Sequence, residues 1–157
     1  MPELPEVESA RYLAEKHCLS SVIEKMVTLE MGGGPRDGQF DDKVYETEAD
    51  QYERLEGKKL VSLGRQGKQM YFILTGDAGD TSTSLLFHFG MTGSFVIRGE
   101  QIPSYKSFVV DTSEMEWPPK FTKCMIRFEN GRELAFCDPR RLGKIRIRGP
   151  KPEIELP

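Results

Sequence analysis

Residues 123–148 read KCMIRFENGRELAFCDPRRLGKIRIR, and this stretch decides the fold. Asn130-Gly131, inside ENGR, is a turn dipeptide between two apolar runs, Lys123–Phe128 and Arg132–Cys137. The three together predict a β-hairpin. After DPRRLG, the segment Gly143–Arg148 alternates strictly: Ile145 and Ile147 point one way, Lys144, Arg146 and Arg148 the other. That is the two-residue period of a strand with one face buried. Strands so close together, with no helix between them, pair antiparallel.

Working outward, the same signals recur. Lys59–Gly64 and Gln69–Thr75 flank a reversal built on Gly67, and Ser84–Phe89 and Ser94–Arg98 surround GMTG at 90–93. Val22–Glu30 and Lys106–Val110 are further candidate strands, and the Gly32-Gly33-Gly34-Pro35 run is a break. Gly76–Thr83 reads as a polar loop. Thr112–Lys123 reads as a long loop, because Pro118 and Pro119 exclude a strand interior. One helix is expected, from Pro5 to Cys18. Pro5 fits its first turn, Glu6 and Glu8 lie near the positive end of its dipole, and Lys16 and His17 suit its last turn. Val7, Ala10, Ala14 and Cys18, with Leu13, form its apolar face. The expected fold is therefore mainly β with an N-terminal α-helix, an antiparallel β-sandwich. Residues 1–148 form one domain, and the proline-rich 149–157 reads as a linker or the start of a further domain.

Composition bounds the rest. A chain of 157 residues with 38% hydrophobic and 30% charged residues builds one globular domain with a real core. No run of about 18 apolar residues exists to span a membrane, and the acidic, proline-bearing N-terminus is neither a signal nor a transit peptide. Cys18, Cys124 and Cys137, an odd count at wide spacing, give neither a disulfide framework nor a zinc motif. A reducing, intracellular compartment follows, with the cysteines packing as small hydrophobes. Phe87, Phe89, Phe128, Phe136 and Trp117 are expected in the core. The net charge of −3 argues against a nucleic-acid partner, but the charge is segregated. Residues 41–56 carry seven acids and two bases, 58–69 four bases and no acid, and 138–151 six bases and one acid. A cleft responds to the local field rather than the sum, although on charge alone these stretches read as solvated faces.

The N-terminus MPELPEVE bears chemistry of its own. Methionine before proline is normally removed, which exposes Pro2 as a secondary amine with a reference pKa of about 7.7–8.0. Such an amine attacks electrophilic carbon and forms an iminium, an electron sink for elimination. Glu3 and Glu6 lie close enough in sequence to relay protons. Read from these residues alone, a proline and two acids capping a helix remains the simpler account.

PELPEVE at the start, GRQGK at 64–68, HFGMTG at 88–93 and DPRRLGK at 138–144 resemble, in order, the signature blocks of the formamidopyrimidine-DNA glycosylase/endonuclease VIII family. YKSFVVDTSEMEWPPKFTK is similar to the plant and fungal branch. The resemblance covers residues 2–148. It implies a bifunctional DNA glycosylase and abasic-site lyase of the base-excision pathway that acts on oxidised bases in double-stranded DNA, as a nuclear monomer. No cofactor or metal in this chain and no membrane enter that picture. In it, Pro2 is the nucleophile at C1′ of the damaged nucleotide, Glu3 protonates the sugar ring oxygen and Glu6 supports the geometry. Lys68 holds a phosphate flanking the lesion, and His88 lies near the backbone phosphates. Met91 and the PRRLG block fill the gap left by the extruded base. There Arg140 reads the opposite base and Arg141 serves a phosphate. Leu142 stands where the family commonly has phenylalanine, which weakens any inherited preference for the opposite base. Lys144, with Arg146 and Arg148, offers a basic face to phosphate.

The resemblance also implies a helical domain and a C-terminal hairpin beyond residue 157, which would supply much of the DNA clamp. Two other readings stay open at this point. The chain is a catalytically weak or inert fragment that binds damaged DNA, or it is a β-sandwich interaction domain with no nucleic-acid partner.

Overall fold

Strand-forming runs of 4–8 residues, separated by turn chemistry, build two layers. The computed structural model describes residues 4–75, 83–98, 101–103, 109–111 and 117–148. Its elements are helix α1 (Leu4–Cys18), strand β1 (Ile23–Val27), helix α2 (Ala49–Glu53), then β2 (Lys59–Gln66), β3 (Gln69–Thr75), β4 (Thr83–His88), β5 (Ser94–Ile97), β6 (Gln101–Pro103), β7 (Val109–Asp111), β8 (Thr122–Phe128), β9 (Glu133–Cys137) and β10 (Lys144–Arg148). One antiparallel sheet runs β1-β8-β9-β5, the other β10-β4-β3-β2, and β6 and β7 pair separately. This is the expected antiparallel sandwich with an N-terminal helix.

The two decisive turns form as their residues require. Gln66 pairs with Gln69, leaving a two-residue turn in which Gly67 takes the first position at φ +61, a conformation L side chains disfavour. At ENGR, Gly131 N–H donates to Phe128 O, and the Asn130 side chain accepts Arg132 N–H, which closes the β8–β9 hairpin.

The core lies between the sheets. Phe72, Phe87, Phe89, Phe95 and Phe136 pack edge-on or tilted with ring centroids 4.9–5.9 Å apart, a geometry their quadrupoles favour. Val7, Ala10, Ala14 and Cys18 of α1 join the same core. The helix contacts β2 and β3 of one sheet and β5 of the other, so its start is held beside the β2–β3 hairpin. Ile145 is buried, and Ile147 packs on the core from the same face of β10, as the alternation predicts. All three cysteines are free and buried, and burial pushes the thiols of Cys18 and Cys124 up to about 12 and that of Cys137 to about 11. Trp117 is half-buried against Val96, Ala135 and Cys137, with Arg98 5.9 Å above its ring.

The differences from the sequence reading are local. Strand β1 is shorter than Val22–Glu30; of the expected strand Lys106–Val110, residues 106–108 lie outside the described residues, and 109–110 belong to β7, paired with Gln101–Pro103. Strand β8 starts at Thr122, inside the expected loop. Helix α2 has no counterpart in the sequence reading. Its acidic surroundings lack a clear helical stripe, and its place is fixed by tertiary burial of Tyr52, whose hydroxyl donates to Ile145 O at 2.9 Å. Loop 76–82 and the tail 149–157 lie outside the described residues.

Phe136 touches three other rings, so Phe136→Ala should lower unfolding free energy by about 3–5 kcal/mol in a urea titration. Tyr12→Ala, on the outer face of α1 at 57% exposure, should change it by no more than about 0.5 kcal/mol.

Candidate functional site

Two connections cross between the sheets at one end of the sandwich. Residues 89–93 lead from β4 to β5, and 138–143 lead from β9 to β10. The β2–β3 turn ends at the same place, because Gln69, His88 and Lys144 are aligned across β3, β4 and β10. Phe89 N–H donates to Lys68 O at 3.1 Å, which joins the turn of Lys68 to the start of the Met91 connection. The motifs GRQGK, HFGMTG and DPRRLGK, distant in sequence, thus form one surface.

Backbone closeness makes the two connections a unit. Gly90 has φ +60, and a Cβ there would lie 2.7 Å from the carbonyl carbon of Leu142. A Cβ on Gly143 would lie 2.6 Å from His88 O. Only glycine admits these approaches. Asp138, fully buried, bonds both segments: its Oδ1 accepts from Thr92 Oγ1, and its Oδ2 accepts from Gly143 N–H at 2.7 Å. The sequence offered no sign of this role beyond the position of Asp138 at the head of DPRRLGK.

From this base Met91 projects at 42% exposure, Arg140 is exposed, and Leu142 is half-buried. Lys68 is half-exposed at its turn, and neither it nor Arg140 has a carboxylate in ion-pair range among the described residues. His88 is half-buried. Burial, with Arg146 and Lys68 nearby and Glu46 opposing them, lowers its pKa below the usual histidine value. The ring is neutral at pH 7, and its Nδ1 accepts Gly90 N–H at 3.1 Å. That bond assigns the proton to Nε2, which is left as a donor.

The helix start is tied to the Lys68 turn. Arg65 donates to Glu8 Oε2 at 3.2 Å and to Gly67 O at 3.1 Å, and Arg11 also grips Glu8. Glu6 lies half-buried in the first turn of α1, while Pro2 and Glu3 fall outside the described residues.

Two residues that the resemblance gives to DNA have protein partners. Arg141, in a left-handed conformation at φ +58, is forked onto Asp41, with Nε–Oδ2 at 2.7 Å and NH2–Oδ1 at 2.8 Å. Lys144 Nζ donates to Lys43 O at 2.6 Å. Arg146 pairs with Glu46 at 3.0 Å. Asp41, from the 41–56 stretch whose charge alone reads as a solvated face, belongs to a buried charge cluster. Lys123, 2% exposed, bonds Asp41 at 2.9 Å and also Glu30. Burial opposes ionisation of Asp41, but Arg141 and Lys123 outweigh it and hold its carboxyl well below the usual carboxylate range. Among the described residues, no group of three or more His, Cys, Asp or Glu side chains is arranged to hold a metal ion.

Asp41→Asn should destabilise the fold by up to about 3–5 kcal/mol at pH 7, because buried Lys123 loses one of its two carboxylates and half-buried Arg141 loses its charged partner. The depressed pKa makes the wild-type contribution complete above about pH 4 and lost as pH falls below it. The gap between wild type and variant, measured by denaturant unfolding, should therefore narrow as the pH is lowered to about 3.

Comparison with known proteins identifies the family and the fold. The model of the formamidopyrimidine-DNA glycosylase N-terminal domain matches residues 1–145. A formamidopyrimidine-DNA glycosylase of Arabidopsis thaliana is 35% identical over 94% of this chain and 34% of its own length. One from Bradyrhizobium is 34% identical over 99% of this chain and 47% of its own. The chain thus spans between a third and a half of these relatives. Among solved structures, MutM (Fpg) of Thermus thermophilus superposes with a TM-score of 0.61 at 27% identity, covering 94% of this chain and 40% of that one. Lactococcus lactis Fpg, solved with N7-benzyl-Fapy-dG containing DNA, gives 0.64 at 23% identity over 93% of this chain and 43% of that one, a likeness of fold. This chain belongs to the formamidopyrimidine-DNA glycosylase family and carries its N-terminal domain.

Proposed function

We propose that this chain is the catalytic half of a bifunctional DNA glycosylase and abasic-site lyase that excises oxidised bases from double-stranded DNA. The observation that carries the reading is the shared surface of Lys68, His88, Met91 and Arg140, with the start of α1 tied to its edge by Arg65 and Glu8. Family membership supports the same reading.

In this mechanism the Pro2 nitrogen attacks C1′ as the damaged base leaves with its bonding electrons, and the proton shed by the amine neutralises the departing base. Glu3 protonates the ring oxygen, the sugar opens, and the nitrogen lone pair forms the iminium. That iminium acidifies C2′–H, and loss of the proton expels the 3′-phosphate, with a second elimination on the 5′ side. Glu6 supports the geometry of the helix start. Lys68 supplies a compact positive charge to a flanking phosphate. His88 donates its Nε2 proton to the backbone. Met91 and Leu142 occupy the void, where Leu142 wedges without the stacking area of an aromatic, and Arg140 presents its planar fork to the opposite base. Arg141 and Lys144 border this surface, and their bonds to Asp41 and Lys43 direct them to shaping it, with phosphate contact secondary. No metal or cofactor enters these steps. We further place the chain in the plant and fungal branch, a reading supported by the YKSFVVDTSEMEWPPKFTK segment and the Arabidopsis relative. Action as a monomer in the nucleus is carried over from the family resemblance alone.

The test is borohydride trapping on a duplex containing an abasic site. A covalent adduct should form at low salt and map to Pro2. It should be absent when an N-terminal extension turns the Pro2 amine into an amide. Lys68→Ala should weaken binding and reduce the slope of log affinity against log salt by about 1. DNA binding with no adduct at any salt would replace the catalytic reading with a damage-binding one, and no binding at all would point to a non-nucleic-acid domain.

A further inference from the structure

We propose that Asp138 is a positioning residue that locks the Met91 turn to the Arg140–Leu142 loop, so that both enter a duplex as one wedge of fixed spacing. The inference rests on the DNA-repair reading above and goes beyond it, because Asp138 touches neither DNA nor the reacting atoms in that mechanism.

Three observations carry it. The first is the bonding of Asp138, which is fully buried and has both side-chain oxygens in use, one from each connection: Thr92 Oγ1 on Oδ1 and Gly143 N–H on Oδ2 at 2.7 Å. Its own N–H donates to Phe121 O at 3.1 Å, which fixes the residue from the β8 side. The second is the contact of the connections themselves, where Gly90 meets the Leu142–Gly143 backbone at a distance that excludes any Cβ. The third is independent of Asp138. Arg141, between Arg140 and Leu142, is held in a left-handed conformation by its fork onto buried Asp41. Such a conformation persists only where the surroundings over-determine it. A long thioether and a long guanidinium on free loops would sample many rotamers and yield when pushed against stacked bases. Opening a base step is costly, so a wedge works only if its base does not give. Asp138 supplies that rigidity, because moving either connection alone breaks a bond to a buried oxygen.

Asp138→Ala leaves Gly143 N–H unpaired in the interior and endangers the fold, so the decisive variant is Thr92→Val. It deletes only the hydroxyl that joins the Met91 turn to Asp138, and Thr92→Ser restores that hydroxyl. Borohydride trapping is compared on an abasic duplex and on the same abasic strand alone, where no stack must be opened and no void filled. Thr92→Val should lower the duplex-to-single-strand trapping ratio about tenfold, and Thr92→Ser should return it to within about twofold of wild type. An unchanged ratio in Thr92→Val, including an equal loss on both substrates, overturns the positioning role. Absence of any adduct with wild type on either substrate instead removes the functional reading, and this proposal with it.

Discussion

The ammonium of Lys123 is almost sealed from solvent, and that single charge constrains the whole functional end of the molecule. A cation there is tolerable only if carboxylates come to it. Glu30 and Asp41 do so from 93 and 82 residues earlier in the chain. Two acids on one base would leave an excess negative charge, and Arg141 closes the balance from the far side of Asp41. The cluster therefore does two things at once. It pins the irregular 28–48 region against β8, and it holds the one residue between Arg140 and Leu142 in a backbone conformation that costs an ordinary L residue about 1–2 kcal/mol. The surface presented at 140–142 is a consequence of charge neutralisation deeper inside.

Packing explains why this surface lies where it does. The phenylalanine cluster is conventional in its physics, with large rings in tilted contact that exclude water and hold the two sheets at a fixed separation. Phe89 and Phe136 also stand at the ends of β4 and β9, the strands from which the two crossover connections leave. The core thus ends directly beneath the polar clamp of Asp138. An apolar floor with a satisfied carboxyl above it makes a stiff mount for the side chains of Met91 and Arg140, the kind of support that the proposed site would require.

Much of the architecture was legible in the sequence because the signals were local and mutually consistent. Gly67, Asn130-Gly131 and the strict alternation of Lys144–Arg148 each obey a rule that spans only a few residues. The order of strands in the sheets was not legible, and nor was helix α2, which depends on burying Tyr52 under β10. The site divides in the same way. Lys68, His88, Met91 and Arg140 could be named because their motifs are contiguous. Asp41, Lys123, Thr92 and Asp138 could not, since their roles exist only between segments up to 100 residues apart. An acidic stretch such as 41–56 looks solvated when its charges are counted along the chain, and several of the same acids prove to be partners once the chain is folded.

That folding-back also reconciles a net-negative chain with the polyanion-binding surface proposed for it. Lys144 and Arg146 of the basic strand are met by Lys43 O and Glu46, so the acidic stretch answers the strand that follows the DPRRLG loop. Glu56 is likewise drawn inward, accepting Met26 N–H at 2.9 Å. What remains uncommitted among the described residues at the site is a small set at the turn tips, Lys68 and Arg140, beside a neutral His88 that offers a proton without a charge. A few unpaired cations on rigid mounts discriminate better than a broad basic face. Diffuse positive charge binds any duplex equally, whereas fixed donors favour a backbone already bent to reach them. The internal pairing of most of the basic strand is therefore part of how such a surface would select a distorted duplex over an intact one.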